Sequence, residues 1–171
     1  MASLGVAADR LEAAAAAILS FRPRIEAGSP WALAEMYGPE PEASWGPPEL
    51  LAHVEEYLPY WLGEIERVLA GDPRGDGGPV PFGRVATDPI RIGVIGRDRT
   101  LPLRELFSRI ESEAPRVAGR LRQLTEAEAG LIGSHPARGE MTVREMLEPF
   151  LVGHSEGHVE QLREILAAAG R

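Results

Sequence analysis

Apolar residues recur at spacings of three and four along four separate stretches of the chain, and turn-forming residues crowd the gaps between them. The first stretch runs from about Val6 to Glu26, with Leu11, Ala14, Ile18, Phe21 and Ile25 in phase; Pro23 is expected to end it early or kink it. The second opens at Pro47 and Pro48, where proline suits a first helical turn, and stops at Gly71. It carries Leu50, Leu51, Val54, Leu58, Trp61, Leu62, Ile65, Val68 and Leu69. The third is expected after Thr100 as N-cap, with Pro102 in its first turn and Leu103, Leu106, Phe107, Ile110, Val117 and Leu121 as its stripe. The fourth opens on a capping box, Thr142 to Glu145, and runs to about Ala169 before Gly170.

The intervening segments AGSPWALAEMYGPEPEASWGPP and GDPRGDGGPVPFGRVATDP are rich in Gly and Pro and read as long loops. IRIGVIG is short and apolar, so it reads equally as a strand or a helical turn. No run alternates with the period of two that a strand ladder needs. The expected fold is therefore all-α: an antiparallel four-helix bundle with long loops, spanning residues 1–171 as one domain. Pro59, Pro115 and Pro149 fall inside helical stretches, where each removes a backbone hydrogen bond and is expected to bend its helix.

Composition narrows the function classes. The net charge is −8, and all 18 basic residues are arginine. An acidic chain without a basic cluster argues against nucleic-acid binding. No apolar run approaches the roughly 18 residues of a membrane span, and the Ala-rich N-terminus carries Asp9, Arg10 and Glu12, so it reads as a helix and not a signal peptide. The expected compartment is the cytoplasm. With no cysteine, disulfides, thiolate metal sites and a cysteine nucleophile are excluded. Any metal must use His, carboxylate or water.

Of the four histidines, His154 and His158 stand four residues apart in the last helical stretch, on the apolar face through Leu147, Leu151, Leu162 and Ile165. Side chains at that spacing are neighbours on one helix face. His53 lies one turn from Leu50 and Tyr57, close to the inward stripe of the second helix. A lone inward histidine is ordinarily a satisfied core residue. Three of them, two at i and i+4, suggest imidazoles converging on one transition metal, with coordination positions left open as in catalytic sites. The pair lacks a Glu directly after its first histidine, so it is not the H-E-x-x-H of a metalloprotease. Glu55, Glu56, Glu156 and Glu160 are candidates for a fourth ligand, base or imidazole acceptor. Gly153 and Gly157 leave room for substrate, allow close approach of another helix, or are simply tolerated in a chain of 19 glycines. His135, before Pro136, reads as a turn or packing residue. Trp31, Trp45, Tyr57, Tyr60 and Trp61 read as anchors around the second helix, with Tyr57 placed to line a pocket. Arg22 and Arg24 could draw an acidic substrate.

The segments SWGPPELLAHVEEYLPYW and HPARGEMTVREMLEPFLVGHSEGHVEQLREIL resemble the second- and fourth-helix signatures of the DinB-like superfamily of bacterial four-helix-bundle proteins, and the likeness covers roughly Leu4 to Leu166. It implies that His53, His154 and His158 bind one divalent metal, nickel or zinc, and that Gln161 matches the glutamine following the pair. Ser155 and Gly157 stand where an acidic residue is common, and the segment from Gly71 to Arg99 is poorly matched. The resemblance further implies a metal-dependent enzyme of the thiol S-transferase or hydrolase type, with a small-molecule substrate, a low-molecular-weight thiol as partner, and a homodimer as a plausible assembly. A bundle that binds metal or a small ligand without turnover is the alternative.

Overall fold

Helix α1 (Leu4–Ser20) begins where Ser3 Oγ accepts the Val6 N–H at 3.2 Å, and it buries Leu4, Ala7, Ala8, Leu11, Ala14, Ala15 and Ile18 on one side. The computed structural model describes residues 3–37, 41–71 and 77–170, so parts of both long loops, 38–40 and 72–76, lie outside the described residues. The first stretch does not run through to Glu26 as one helix. It breaks at Phe21, and Pro23 sits in the opening turn of α2 (Arg22–Ala27), the early ending its ring predicts.

Helix α3 (Pro47–Ala70) starts and stops where the sequence indicates, with two prolines in its first turn and Gly71 at φ 79° beyond its end. Its N-terminal half is buried on almost every side, from Pro47 to Glu55. Glu49 closes one of those sides: its fully buried carboxylate accepts the N–H groups of Ala34 at 2.9 Å and Gly46 at 3.1 Å and pairs with Arg99 at 3.0 Å, lashing the preceding loop over the helix. IRIGVIG resolves as helix α4 (Pro89–Asp98), capped by Asp88, whose side chain accepts the Arg91 N–H.

Helix α5 (Leu103–Gln123) starts after Pro102, not on a Thr100 cap: the Thr100 hydroxyl donates to the Arg97 carbonyl at 2.7 Å and so closes α4 instead. Leu106, Phe107, Ile110, Ala114, Val117, Ala118 and Leu121 form its buried stripe. Both α3 and α5 continue as helix through Pro59 and Pro115. Helix α6 (Glu126–Ala129) is a single capped turn.

A small sheet accompanies the helices. Strand β1 (Val80–Pro81) pairs parallel with β2 (Ile132–His135), which turns back antiparallel onto β3 (Gly139–Thr142). Gly133 allows this sheet to press on the core: a Cβ there would lie 2.6 Å from Phe82 and 2.8 Å from Val68. The strands escape a search for period-two alternation because they are two to four residues long and rich in small residues.

Thr142 caps α7 (Val143–Leu147) in a capping box with Glu145, as the sequence predicts. The expected single fourth helix is interrupted. Residues Glu148–Val152 form a π-helical turn before α8 (Gly153–Ala168). Pro149 has no N–H to continue the α ladder, and a wide turn absorbs the break, a feature frequent at functional sites. Helix α1 packs on α5 and α8, and α3 packs on α4, α5 and α8. The protein is thus mostly helical, as expected of an all-α chain, with one small sheet added. No described helix is long and apolar enough to cross a membrane.

Candidate metal centre

His53 comes from the buried half of α3, and His154 and His158 from the first turns of α8, directly after the π-turn. The Nε2 atoms face one another: His53 to His154 is 2.9 Å, and His154 to His158 is 3.2 Å. Glu42, on a 3-10 turn (Pro41–Ser44) ahead of α3, brings Oε1 to 4.0 Å from His53 Nε2. One donor atom from each of Glu42, His53, His154 and His158 lies within 4.8 Å of the others.

The arrangement fits a cation better than a hydrogen-bonded core. A proton on His154 Nε2 can point to only one of its two Nε2 neighbours, whereas a metal takes all three lone pairs. Both separations, 2.9 and 3.2 Å, are short enough for the two nitrogens of each pair to share one ion at bond lengths of about 2.0–2.1 Å. The protonation state agrees. Burial, reinforced by His158 and Arg91, holds His53 well below the usual histidine range. Burial also takes His154 down to about 3 and lowers His158. The imidazoles are neutral at pH 7, the form that ligates.

The surroundings aim these rings. His158 Nδ1 meets Gln161 Oε1 at 3.1 Å, and Gln161 Nε2 donates to the Glu42 carbonyl at 2.8 Å. Trp45 and Tyr57 meet the His53 ring edge-on, at centroid distances of 5.4 and 5.0 Å. Tyr57 hydrogen-bonds Ser155 Oγ at 2.6 Å, which ties α3 to α8 beside the cluster. Arg91 pairs with Glu42 and approaches His53 Nε2 to 3.2 Å.

The four carboxylates singled out in the sequence do not join the cluster. Glu55 pairs with Arg109 at 3.4 Å, Glu56 with Arg84, Glu156 with Arg10 at 2.6 Å and Glu160 with Arg163. The carboxylate that does approach, Glu42, lacks a sequence signal because its loop has no periodicity. Gly153 answers a close approach: a Cβ there would lie 3.0 Å from both the carbonyl and the carboxylate of Glu148, while one on Gly157 would meet nothing within 4 Å. His135 lies apart, buried at the end of β2 and stacked on Phe150 at 5.0 Å. Beside it Gly83, at φ 79°, has no room for a side chain, since a Cβ would fall 2.4 Å from the His135 ring. Tyr57 lines a cavity of about 320 Å³ that reaches His53 and His154, whereas Arg22 and Arg24 do not line it.

A helical protein with inward histidines from two helices beside an open cavity defines the class. The sequence profile of the DinB superfamily matches residues 5–162, nearly the whole chain, and the protein belongs to that superfamily. No curated protein matches the chain with significance.

Proposed function

We propose that the protein binds one divalent transition metal, nickel or zinc, through His53, His154 and His158, and that it is a metal-dependent enzyme of the thiol S-transferase or hydrolase type. The observation that carries this reading is the meeting of three Nε2 atoms from α3 and α8 at 2.9 and 3.2 Å. On this reading the four long helical segments act as an antiparallel four-helix bundle, the scaffold on which facing helices build such sites. The adjoining cavity favours turnover over a sealed structural site, because an open position is what catalytic sites keep.

A divalent metal held there supplies Lewis-acid chemistry, acidifying a water or thiol within its reach. The chain's own residues do the rest. Gln161 fixes the His158 ring so that Nε2 faces inward. Glu42 lines the same cavity and is the carboxylate placed to accept a proton released there. Trp61 and Phe150, stacked at 4.0 Å and 13°, form an apolar wall that keeps water from one side.

Elemental analysis of purified wild type beside His154→Ala tests the metal assignment. The wild type is expected to carry close to one equivalent of a divalent transition metal and the variant to lose it; retention by the variant rejects the ligand set. Turnover assays of the loaded protein with low-molecular-weight thiols then separate an enzyme from a metal-binding module.

A further inference from the structure

The cavity beside the histidines reverses the charge sign of the protein. The chain carries −8 overall, yet the charged residues lining the cavity are Arg84, Arg91, Arg138 and one carboxylate, Glu42. Their commitments differ. Arg91 is engaged through both amino nitrogens, NH2 on Glu42 and NH1 donating to the Ala86 carbonyl at 2.8 Å. Arg84 gives one amino nitrogen to Glu56 and stands over Tyr60, its Cζ 3.6 Å from the ring centroid; its other N–H groups meet no acceptor among the described residues. Arg138 is exposed at the hairpin turn, 5.4 Å from the Phe150 centroid, and makes no ion pair among the described residues. Most other arginines among the described residues are paired with carboxylates, so a guanidinium without an ion pair over an aromatic wall is a local exception. Clefts lined by one charge sign concentrate ligands of the other, and guanidinium forks match carboxylate and phosphate oxygens.

We infer that this cavity takes a small organic anion, its carboxylate or phosphate held by Arg138 and Arg84 and its apolar body laid against Phe150 and Trp61. That orientation turns the far end of the ligand toward His53 and His154. The inference deepens the metal-site reading by naming its substrate class, while the binding contacts themselves belong to arginines and aromatic rings outside the histidine cluster. At about 320 Å³ the space suits a ligand at the small end of the range for such sites.

Calorimetric titration of the full chain loaded with zinc, using 3-phenylpropionate, phenyl phosphate and the uncharged 3-phenylpropanamide, tests the inference. At least one anion is expected to bind roughly tenfold or more tighter than the amide, the size of one charge-assisted contact. Arg138→Gln and Arg84→Gln are each expected to remove most of that advantage and to leave the amide unchanged. Arg138→Glu, at an exposed turn that tolerates change, is expected to abolish anion binding. Preference for phenylpropionate or for phenyl phosphate identifies which anionic group the cavity serves. Equal binding of amide and anions, no binding of any probe at millimolar concentration, or anion affinity indifferent to all three substitutions overturns the proposal, the last because the anion would then sit on the metal alone. Repeating the titration after chelation separates the two readings. Anion binding that keeps its Arg138 dependence without metal supports the cavity, whatever elemental analysis says of the histidines.

Discussion

Gln161 accepts the Nδ1 proton of His158 at 3.1 Å, from one turn further along α8. The same amide donates from Nε2 to the Glu42 carbonyl. One side chain therefore sets which His158 nitrogen faces the cluster and pins the turn that carries Glu42. Groups that orient metal-binding imidazoles typically matter by about 10–100-fold in affinity. Gln161→Leu is expected to lose metal affinity on that scale in competition with a chelator. Gln161→Glu keeps an acceptor for Nδ1 but loses the donor to the Glu42 carbonyl, so it is expected to lose less affinity than Gln161→Leu while falling short of wild type. Equal affinity in wild type and the Leu variant would remove Gln161 from any orienting role.

Ser155 is a strut between α8 and α3. Its hydroxyl donates to the Leu151 carbonyl at 2.6 Å, so it accepts the Tyr57 hydroxyl proton, also at 2.6 Å. Burial raises the Tyr57 pKa and keeps the phenol protonated as donor. The two deletions are then unequal. Ser155→Ala strands a buried hydroxyl and is expected to cost about 1–3 kcal/mol, whereas Tyr57→Phe leaves Ser155 bonded to Leu151 and is expected to cost about 0.5–1.5 kcal/mol. Urea unfolding of the two variants measures the order, and a larger loss for Tyr57→Phe would show that stranding the Tyr57 hydroxyl is not the dominant cost.

The histidines were legible in the sequence because each lies in phase with a long apolar stripe: His53 with Leu50 and Tyr57, and His154 and His158 with Leu151 and Leu162. Helical period alone placed them inward, and packing of α3 on α8 did the rest. Glu42 was illegible because a 3-10 turn after a Gly/Pro-rich loop has no period to read, and its position depends on long-range ties, Gln161 to its carbonyl and Arg91 to its carboxylate. The sheet was hidden for a related reason. IGSH and GEMT are too short and too poor in β-branched residues to signal strands, and their pairing is fixed by the tight hairpin and the contact of Gly133 with Phe82. Pro149 announced a disruption of the fourth helix, but only the requirement to continue into α8 selects a π-turn as its form.

His135 makes the stability of the fold sensitive to acid. Its Nδ1 accepts the Ala137 N–H at 3.2 Å, so Nε2 carries the proton and donates to the Arg84 carbonyl, also at 3.2 Å. Burial lowers its pKa, only partly offset by that carbonyl. A second proton would have to enter at Nδ1, against the Ala137 N–H. Because the folded pKa lies below the unfolded value of about 6.5, the unfolded chain binds more protons in the window between them. The stabilising contribution is complete above about pH 6.5 and is lost as pH falls through that window. His135→Gln, measured beside wild type in chelator, is expected to show a shallower loss of unfolding free energy below pH 6.5, by up to about 1.4 kcal/mol per pH unit. Parallel profiles for the two proteins would show that His135 does not titrate in this way.

Glu42 and Arg91 are expected to act on metal affinity in opposite directions. Glu42 Oε1 pairs with Arg91 and also lies 4.0 Å from His53 Nε2, while the Arg91 guanidinium comes to 3.2 Å from the same nitrogen. A dication at the imidazoles gains from the carboxylate and is opposed by the guanidinium, in surroundings where the Arg91 side chain is only 6% exposed and screening by water is weak. Glu42→Gln removes the attraction and leaves Arg91 without its counter-charge, so metal affinity is expected to fall by roughly tenfold or more, the equivalent of about 1.4 kcal/mol. Arg91→Gln removes the repulsion and releases Glu42 from its ion pair, so affinity is expected to rise. Competition with a chromophoric chelator reads both, and far-ultraviolet circular dichroism checks that α4, which carries Arg91, stays folded. A fall in affinity for a folded Arg91→Gln variant would mean that the guanidinium serves the site by holding Glu42 in place, and that its charge does not oppose the metal.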